Sequence, residues 1–266
     1  MTISSAVFTG FIVAAFSELL LPVIILLILG LKKKISAVPL FFGFAAFLVS
    51  QVFLRIPILQ ILGTQGWFKA FALNTIPYVI MLSFTAGLFE ESARLASAGV
   101  FLKKHRDFRD ALSFGFGHGF CEVILLTGMA QMNNIIYAVA INNGTLSTML
   151  AKLPAETSQQ IMSSMLAVKP EGIYLGILER VFAVTFHIFA SILIFKGVRE
   201  HKIRFYFYAI CVHTIFNFGG VMLTRYVNLW VGEAFMLVLS IIALLLIFRM
   251  RKSYFKTENS VAEPTS

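Results

Sequence analysis

Three histidines, several carboxylates, an arginine and an asparagine interrupt long apolar runs in this 266-residue chain. They come as Glu90 and Glu91 with Arg94, His118 with Glu122, Glu179 with Arg180, His187, and His213 with Asn217. Residues four apart share a helix face, so Glu90/Arg94, His118/Glu122 and His213/Asn217 each present paired groups. Ionisable groups within a bilayer are costly and mark a functional site by default. Hydrolysis of a peptide bond needs a base to activate water and donors for the oxyanion. A buried glutamate beside an imidazole supplies the first, and an imidazole or an asparagine amide the second. Arg94, one turn from Glu90, can hold one of the adjacent glutamates ionised while the other takes the proton. His118, Glu122, His187 and His213 equally suit zinc, which takes three or four N/O ligands with a position open for water. Spacing does not choose between these chemistries. An ion- or solute-conducting path is a rival use of such residues, though the chain lacks the repeats and paired broken helices of many transporters.

The elements that position these groups are membrane spans. The chain is 58% hydrophobic and 13% charged, against roughly 25% charged in an average soluble domain. The expected fold is all-α, a polytopic bundle of about seven spans forming one domain over residues 1–252, with a polar, disordered cytoplasmic tail over 253–266. The spans are expected near 6–31, 35–54, 70–102, 110–141, 172–195, 205–224 and 227–248. The first reads as a retained span, not a signal peptide, because it lacks a basic leader and a small-residue cleavage pattern. The segment 55–69, with Pro57, Gly63 and Gly66, reads as re-entrant or interfacial, and Pro77 as a kink in the third span. In the polar loop 142–171, a helix over 154–168 would place Ile161, Met162, Met165 and Leu166 on one face. Gly115 and Gly119 allow close helix approach, and Gly117, Gly219 and Gly220 leave backbone uncrowded near His118 and after His213.

Basic residues divide between alternate loops as 15 against 5. The positive-inside rule then puts the N-terminus outside and the C-terminus in the cytoplasm of a bacterial cell membrane. The net charge of +9 is therefore a topology signal, not a nucleic-acid footprint. Cys121 and Cys211 lie inside apolar runs and imply no disulfide framework. Counting from each cytoplasmic anchor at about 1.5 Å per residue puts His118, His187 and His213 roughly 14 Å deep, and Glu90, Glu122 and Asn217 roughly 20 Å deep. Four spans thus bring their polar groups to one layer.

The ordered motifs EESAR (Glu90–Arg94), GHGFCE (Gly117–Glu122), ERVFAVTFH (Glu179–His187) and HTIFN (His213–Asn217) resemble the YhfC family of bacterial intramembrane peptidases. That family is similar to the wider group of CAAX prenyl proteases and bacteriocin-processing enzymes. The resemblance implies an intramembrane endopeptidase that cuts a membrane-embedded or membrane-adjacent peptide. Carried over, Glu90 with His118 activates water, His213 and Asn217 stabilise the oxyanion, and Glu91 and Arg94 support the first pair. Glu122 and His187 are further site residues of the YhfC-like pattern, with Glu179 and Arg180 beside them in the motif. The EExxR spacing departs by one residue from the prenyl-protease motif. The balance of these features favours glutamate-activated water without a cofactor, with zinc as the alternative.

Overall fold

A computed structural model of the chain describes residues 2–262. Its described residues form helices and no strands: α1 (Ser5–Leu31), α2 (Ala37–Thr64), α3 (Gly66–Ala72), α4 (Thr75–Phe101), α5 (Phe108–Asn142), α6 (Leu146–Met149), α7 (Ala155–Ala167), α8 (Pro170–Arg199), α9 (Arg204–Tyr226) and α10 (Leu229–Ala262). Six of these are long and apolar enough to cross a membrane, or seven if α3 with α4, bent by 105°, is one broken span. Helix is what a bilayer demands of such sequences, because no water is available there for an unpaired backbone group. Large apolar side chains such as Leu27, Phe41, Phe53 and Leu245 point outward, more than 60% exposed, as lipid-facing surface requires. Every expected span is thus met by helix, while the ends differ.

The largest difference is in α2. It runs on to Thr64, so Arg55 lies inside a helix and not in a boundary segment. Pro57 does not stop it, because it falls in the first turn after a π-helical stretch, 48–55, whose widened bonding absorbs the missing N–H. The chain breaks later, at extended Gln65 and again around Asn74. Pro77 therefore lies in the opening turn of α4, where a proline costs least, and the sharp bend precedes it. Wide π turns also interrupt α1 at 16–20, α4 at 97–101 and α5 at 123–128. α10 is helical to Ala262, and 263–266, the end of the expected disordered tail, lies outside the described residues.

Two compact units emerge from the contacts. One comprises Met1–Ile28 and Glu122–Val181. Its core joins Ile3, Val7, Phe11 and Ala14 of the N-terminal segment to Ala138, Ile141, Leu146, Leu150, Met165 and Ile173. The Ile3 N–H donates to Asn142 Oδ1 at 2.7 Å. Helix α7 occupies the span expected for it between Pro154 and Val168, and Met165 is buried in this core with Ile161, Met162 and Leu166 packed around it.

The other unit comprises Leu29–Cys121 and Phe182–Ser266. Its centre is the C-terminal part of α8, where every residue from Phe186 to Phe195 is buried. α9 packs along α4 and against α10. Glycines set the closest approaches. A Cβ on Gly115 would lie 2.6 Å from Ile188 Cα, and one on Gly119 3.2 Å from Val184 Cα, so α5 and α8 meet nearly backbone to backbone. Gly117 does not leave open space, as expected from sequence; the Leu40 carbonyl of α2 fills it. Likewise Phe235 and Met236 of α10 fill the space beside Gly219 and Gly220.

Candidate active site

The second unit gathers most of the residues expected to do chemistry. α4 supplies Glu90, Glu91 and Arg94, at 5%, 0% and 0% exposure. α5 supplies His118, α8 His187 and α9 His213, all buried. Gly87 makes this possible on α4. A Cβ there would meet His213 Cβ and the Ile210 carbonyl at 3.2 Å, so the small residue lets α9 bring its histidine against the glutamates.

The two glutamates have different jobs. Glu91 Oε1 accepts from Arg94 Nη1 at 2.5 Å and lies 2.8 Å from His213 Nδ1. Two donors on one oxygen make Glu91 the ionised anchor of the cluster, while its buried Oε2 has no hydrogen-bond partner. Glu90 is held more loosely among the imidazoles. Its Oε2 is 2.9 Å from His118 Nε2 and 3.7 Å from His187 Nδ1, and its Oε1 is 3.9 Å from His213 Nε2. Arg94 Nη2 reaches both His187 Nδ1, at 2.7 Å, and Glu90 Oε2, at 3.5 Å. A guanidinium only donates, so His187 accepts at Nδ1 and carries its proton on Nε2.

Aromatic rings enclose these groups. Phe47 meets the His118 ring edge-on at 5.3 Å, and Phe114 stacks on it at 6.3 Å. Phe186 contacts both His187 and His213. Such walls exclude water and strengthen every charge interaction inside.

Glu90, His118 and His187 each offer a ligand atom, all within 4.8 Å of one another. One carboxylate and two imidazoles are the donor types of a hydrolytic zinc centre, so the residues fit such an ion. In the arrangement seen, Arg94 occupies the His187 Nδ1 lone pair, and the contact between His118 Nε2 and Glu90 needs a proton between them. Loading would release both contacts, which is the usual coupling of metal binding to proton loss.

Asn217, Glu122, Glu179 and Arg180 complete the expected set. Asn217 is half-buried on α9, one turn beyond His213. Glu122 belongs to the first unit, where it lies 3.7 Å from Arg180, which also pairs with Glu179. His118 and Glu122 lie one turn apart in the regular α-helical part of α5, before the π turn at 123–128. Two polar positions escaped the sequence reading. Arg55 donates to Gln51 Oε1, Thr85 Oγ1 and the Leu82 carbonyl at 2.7–3.2 Å. Their signal was the i,i+4 pair Gln51/Arg55 inside an apolar run that continues past Pro57. Glu18, a lone acid in the apolar run of α1, is the second.

Comparisons with known proteins give one family and one relative. A family model described as YhfC intramembrane metalloprotease matches residues 17–242. The uncharacterized membrane protein YhfC of Bacillus subtilis (strain 168) is 35% identical over 141 residues, 53% of this chain and 55% of that protein. The match thus spans about half the length of each. No solved structure matches.

Proposed function

This chain belongs to the YhfC intramembrane metalloprotease family, and on that premise we propose that it hydrolyses a peptide bond within or beside the membrane. The observation that carries the reading is the buried cluster of Glu90, His118 and His187 beside an unpartnered Glu91 oxygen. Glu90, His118 and His187 would hold the metal. A zinc-type ion at such a site supplies Lewis acidity and lowers the pKa of bound water to near neutrality.

The remaining steps belong to the chain's own side chains. Arg94 and His213 keep Glu91 ionised through Oε1. Its free Oε2 is then the acceptor for a proton from water. His213 Nδ1–H is turned to Glu91, which orients the ring so that Nε2 faces the Glu90 side of the cluster. Protonated there, Nε2 donates to the developing oxyanion, and the Asn217 amide is the second donor. The phenylalanine walls keep bulk water from competing. Because the carrying helices are membrane spans, the substrate is a membrane-embedded or membrane-adjacent peptide.

A specific contact favours a second reading. Arg94 already fills the His187 lone pair, which suits a metal-free site where Glu90, hydrogen-bonded to His118, activates water. Metal analysis of the purified protein, with cleavage measured in proteoliposomes before and after chelation, separates the two. Zinc near one per chain, with activity lost on chelation and regained on zinc addition, supports the first. Full activity without metal supports the second. A His118→Ala protein that cleaves at the wild-type rate would sink both.

A further inference from the structure

The second unit holds a cavity of about 280 Å³ that shares no residue with the histidine cluster. Leu95 of α4, Ile194 and Val198 of α8 and Tyr206 of α9 line it, together with His201, Lys202 and Ile203 from the turn that joins α8 to α9. The cavity therefore brings together the end of α4, the end of α8 and the start of α9. Basic residues follow or begin each of these ends: Lys103, Lys104 and Arg106 after α4, Lys196 and Arg199 in the last turn of α8, Arg204 at the first position of α9. It lies where three spans leave the bilayer. Ile203 is 59% exposed beside Lys202, whose side chain is half-exposed. An apolar and a charged side chain next to each other on the surface suit the boundary between acyl chains and headgroups.

The turn itself is unusual. The His201 N–H donates to the Val198 carbonyl at 3.3 Å and the Lys202 N–H to the Gly197 carbonyl at 2.8 Å, which ends α8 with His201 at φ 55°. Glycine is the residue that adopts this left-handed position at least cost. The chain keeps an imidazole there instead, and that imidazole lines the cavity. Lys202 pairs with Glu200 at 2.8 Å, but an ammonium has three donors, so it can serve a second anion. Glu200 is the single acid in residues 196–204, against Lys196, Arg199, Lys202 and Arg204. Tyr206 is fixed in the wall by its hydroxyl, 2.8 Å from Ser92 Oγ of α4. Positive charge at the ends of spans is already explained by topology. A cavity with apolar walls, and a strained imidazole beside a lysine on it, are not.

We propose that this cavity binds the headgroup of an anionic phospholipid, with Lys202 and His201 at the phosphate and Val198 and Ile203 along the first carbons of the acyl chains. Basic pockets between spans take such headgroups, and a volume just under the roughly 300 Å³ at which small-molecule sites begin suits a headgroup and not a whole lipid. For the test, the full-length protein in neutral detergent is stripped of lipid and titrated with phosphatidylglycerol or phosphatidylcholine. Native mass spectrometry counts bound lipid, and thermal unfolding follows stability. Phosphatidylglycerol is expected to bind about tenfold tighter and, at ten times its dissociation constant, to raise the midpoint by about 3–6 °C. Lys202→Gln removes most of that preference, whereas Lys104→Gln, at the end of α4 but outside the cavity, keeps it. His201→Gly weakens phosphatidylglycerol binding yet raises the midpoint of the lipid-free protein, because glycine relaxes the turn. A purely structural His201 would not separate the two readouts. Equal binding of the two lipids overturns the proposal, as does unchanged binding in Lys202→Gln. So does an equal loss in Lys104→Gln and Lys202→Gln, which would make the attraction one of general surface charge. A full midpoint rise with glycerol 3-phosphate in place of lipid also overturns it, because the site would then be one for a soluble phosphate.

Discussion

The two units each bury a polar cluster, and the clusters differ in how their charges are answered. In the second unit, Glu91 is matched by Arg94 and His213, and three imidazoles surround Glu90. In the first unit, Arg180 serves Glu122 and Glu179, and Glu18 keeps an oxygen with no hydrogen-bond partner. Imidazoles can donate, accept or ligate as protons come and go. A site rich in them can be self-satisfied when empty and rearranged when occupied. Glu18 has the Thr127 and Gln131 side chains as neighbours, neither of which changes protonation. The contrast is between a cluster in which several groups can exchange protons and one in which a single carboxylate is buried.

The sharpest way to break this contrast is to remove Arg94. It is fully buried and bonded to Glu91 and His187. Arg94→Met leaves Glu91 as a buried charge without its main partner, a kind of change that costs about 3–5 kcal/mol. The unfolding midpoint should collapse, and a double variant, Arg94→Met with Glu91→Gln, should recover part of it. A loss below about 1 kcal/mol would mean the second cluster is no better neutralised than the first.

Next in size is the difference in zinc binding. His118→Ala should lose bound zinc and at least about 100-fold in cleavage, whereas Glu18→Gln should retain zinc at the wild-type level. Zinc affinity should also rise with pH, because His118 and His187 must bind the ion through unprotonated nitrogens. Equal zinc loss in both variants would erase the distinction in donor chemistry.

Sequence revealed the spans, the all-helical class and the convergence of Glu90, His118, His187 and His213. Those follow from hydropathy and from the placing of polar residues within each apolar run, which are properties of one helix at a time. The partners did not follow. Nothing local says that Glu91 and not Glu90 takes Arg94 at 2.5 Å, since both lie within a turn of it. Nor does anything local say that Glu122 also lies 3.7 Å from Arg180 of α8. Arg55 was read as a span boundary because a charge and a proline together imitate an end. Glu18 was invisible to any pairing rule, because its neighbours come from α5 and α8, more than a hundred residues away. The preference for a cofactor-free site likewise came from motif resemblance, and the Glu90, His118, His187 donor set now weighs toward metal.

Packing offers a smaller, independent test. Gly117 abuts the Leu40 carbonyl in the second unit, whereas Gly176, on the first-unit part of α8, has no atom within 4 Å of an added Cβ. Gly117→Ala should cost about 1–3 kcal/mol by forcing backbone apart, and should reduce cleavage because His118 is the next residue. Gly176→Ala should stabilise by about 0.5–1 kcal/mol through helix propensity. Thermal unfolding of the two variants gives the signs directly. Equal destabilisation would show that α8 is as tightly seated in its first-unit part as around His187.

The smallest effect calibrates the rest, because it uses the same charges in water. Glu200, just past α8, is about a third exposed and pairs with Lys196 and with Lys202, the latter at 2.8 Å. Partial burial pushes its carboxyl up, but the two ammonium groups outweigh that and hold it below the ordinary glutamate value. A folded-state value below the unfolded one means the group adds stability above the unfolded value, about 4.3. That increment is lost as pH falls from there through the lowered native value. Exposure and screening limit it to less than about 1 kcal/mol. Glu200→Gln should therefore lower the unfolding midpoint slightly at neutral pH, and the difference from wild type should vanish below the native value of the pair. It should also shrink with added salt. Arg94→Met should show no comparable salt response, because no counter-ion reaches a guanidinium site that is 0% exposed. If salt moved both variants alike, the buried cluster would be open to water, and the difference between the two units would be one of depth and not of charge matching.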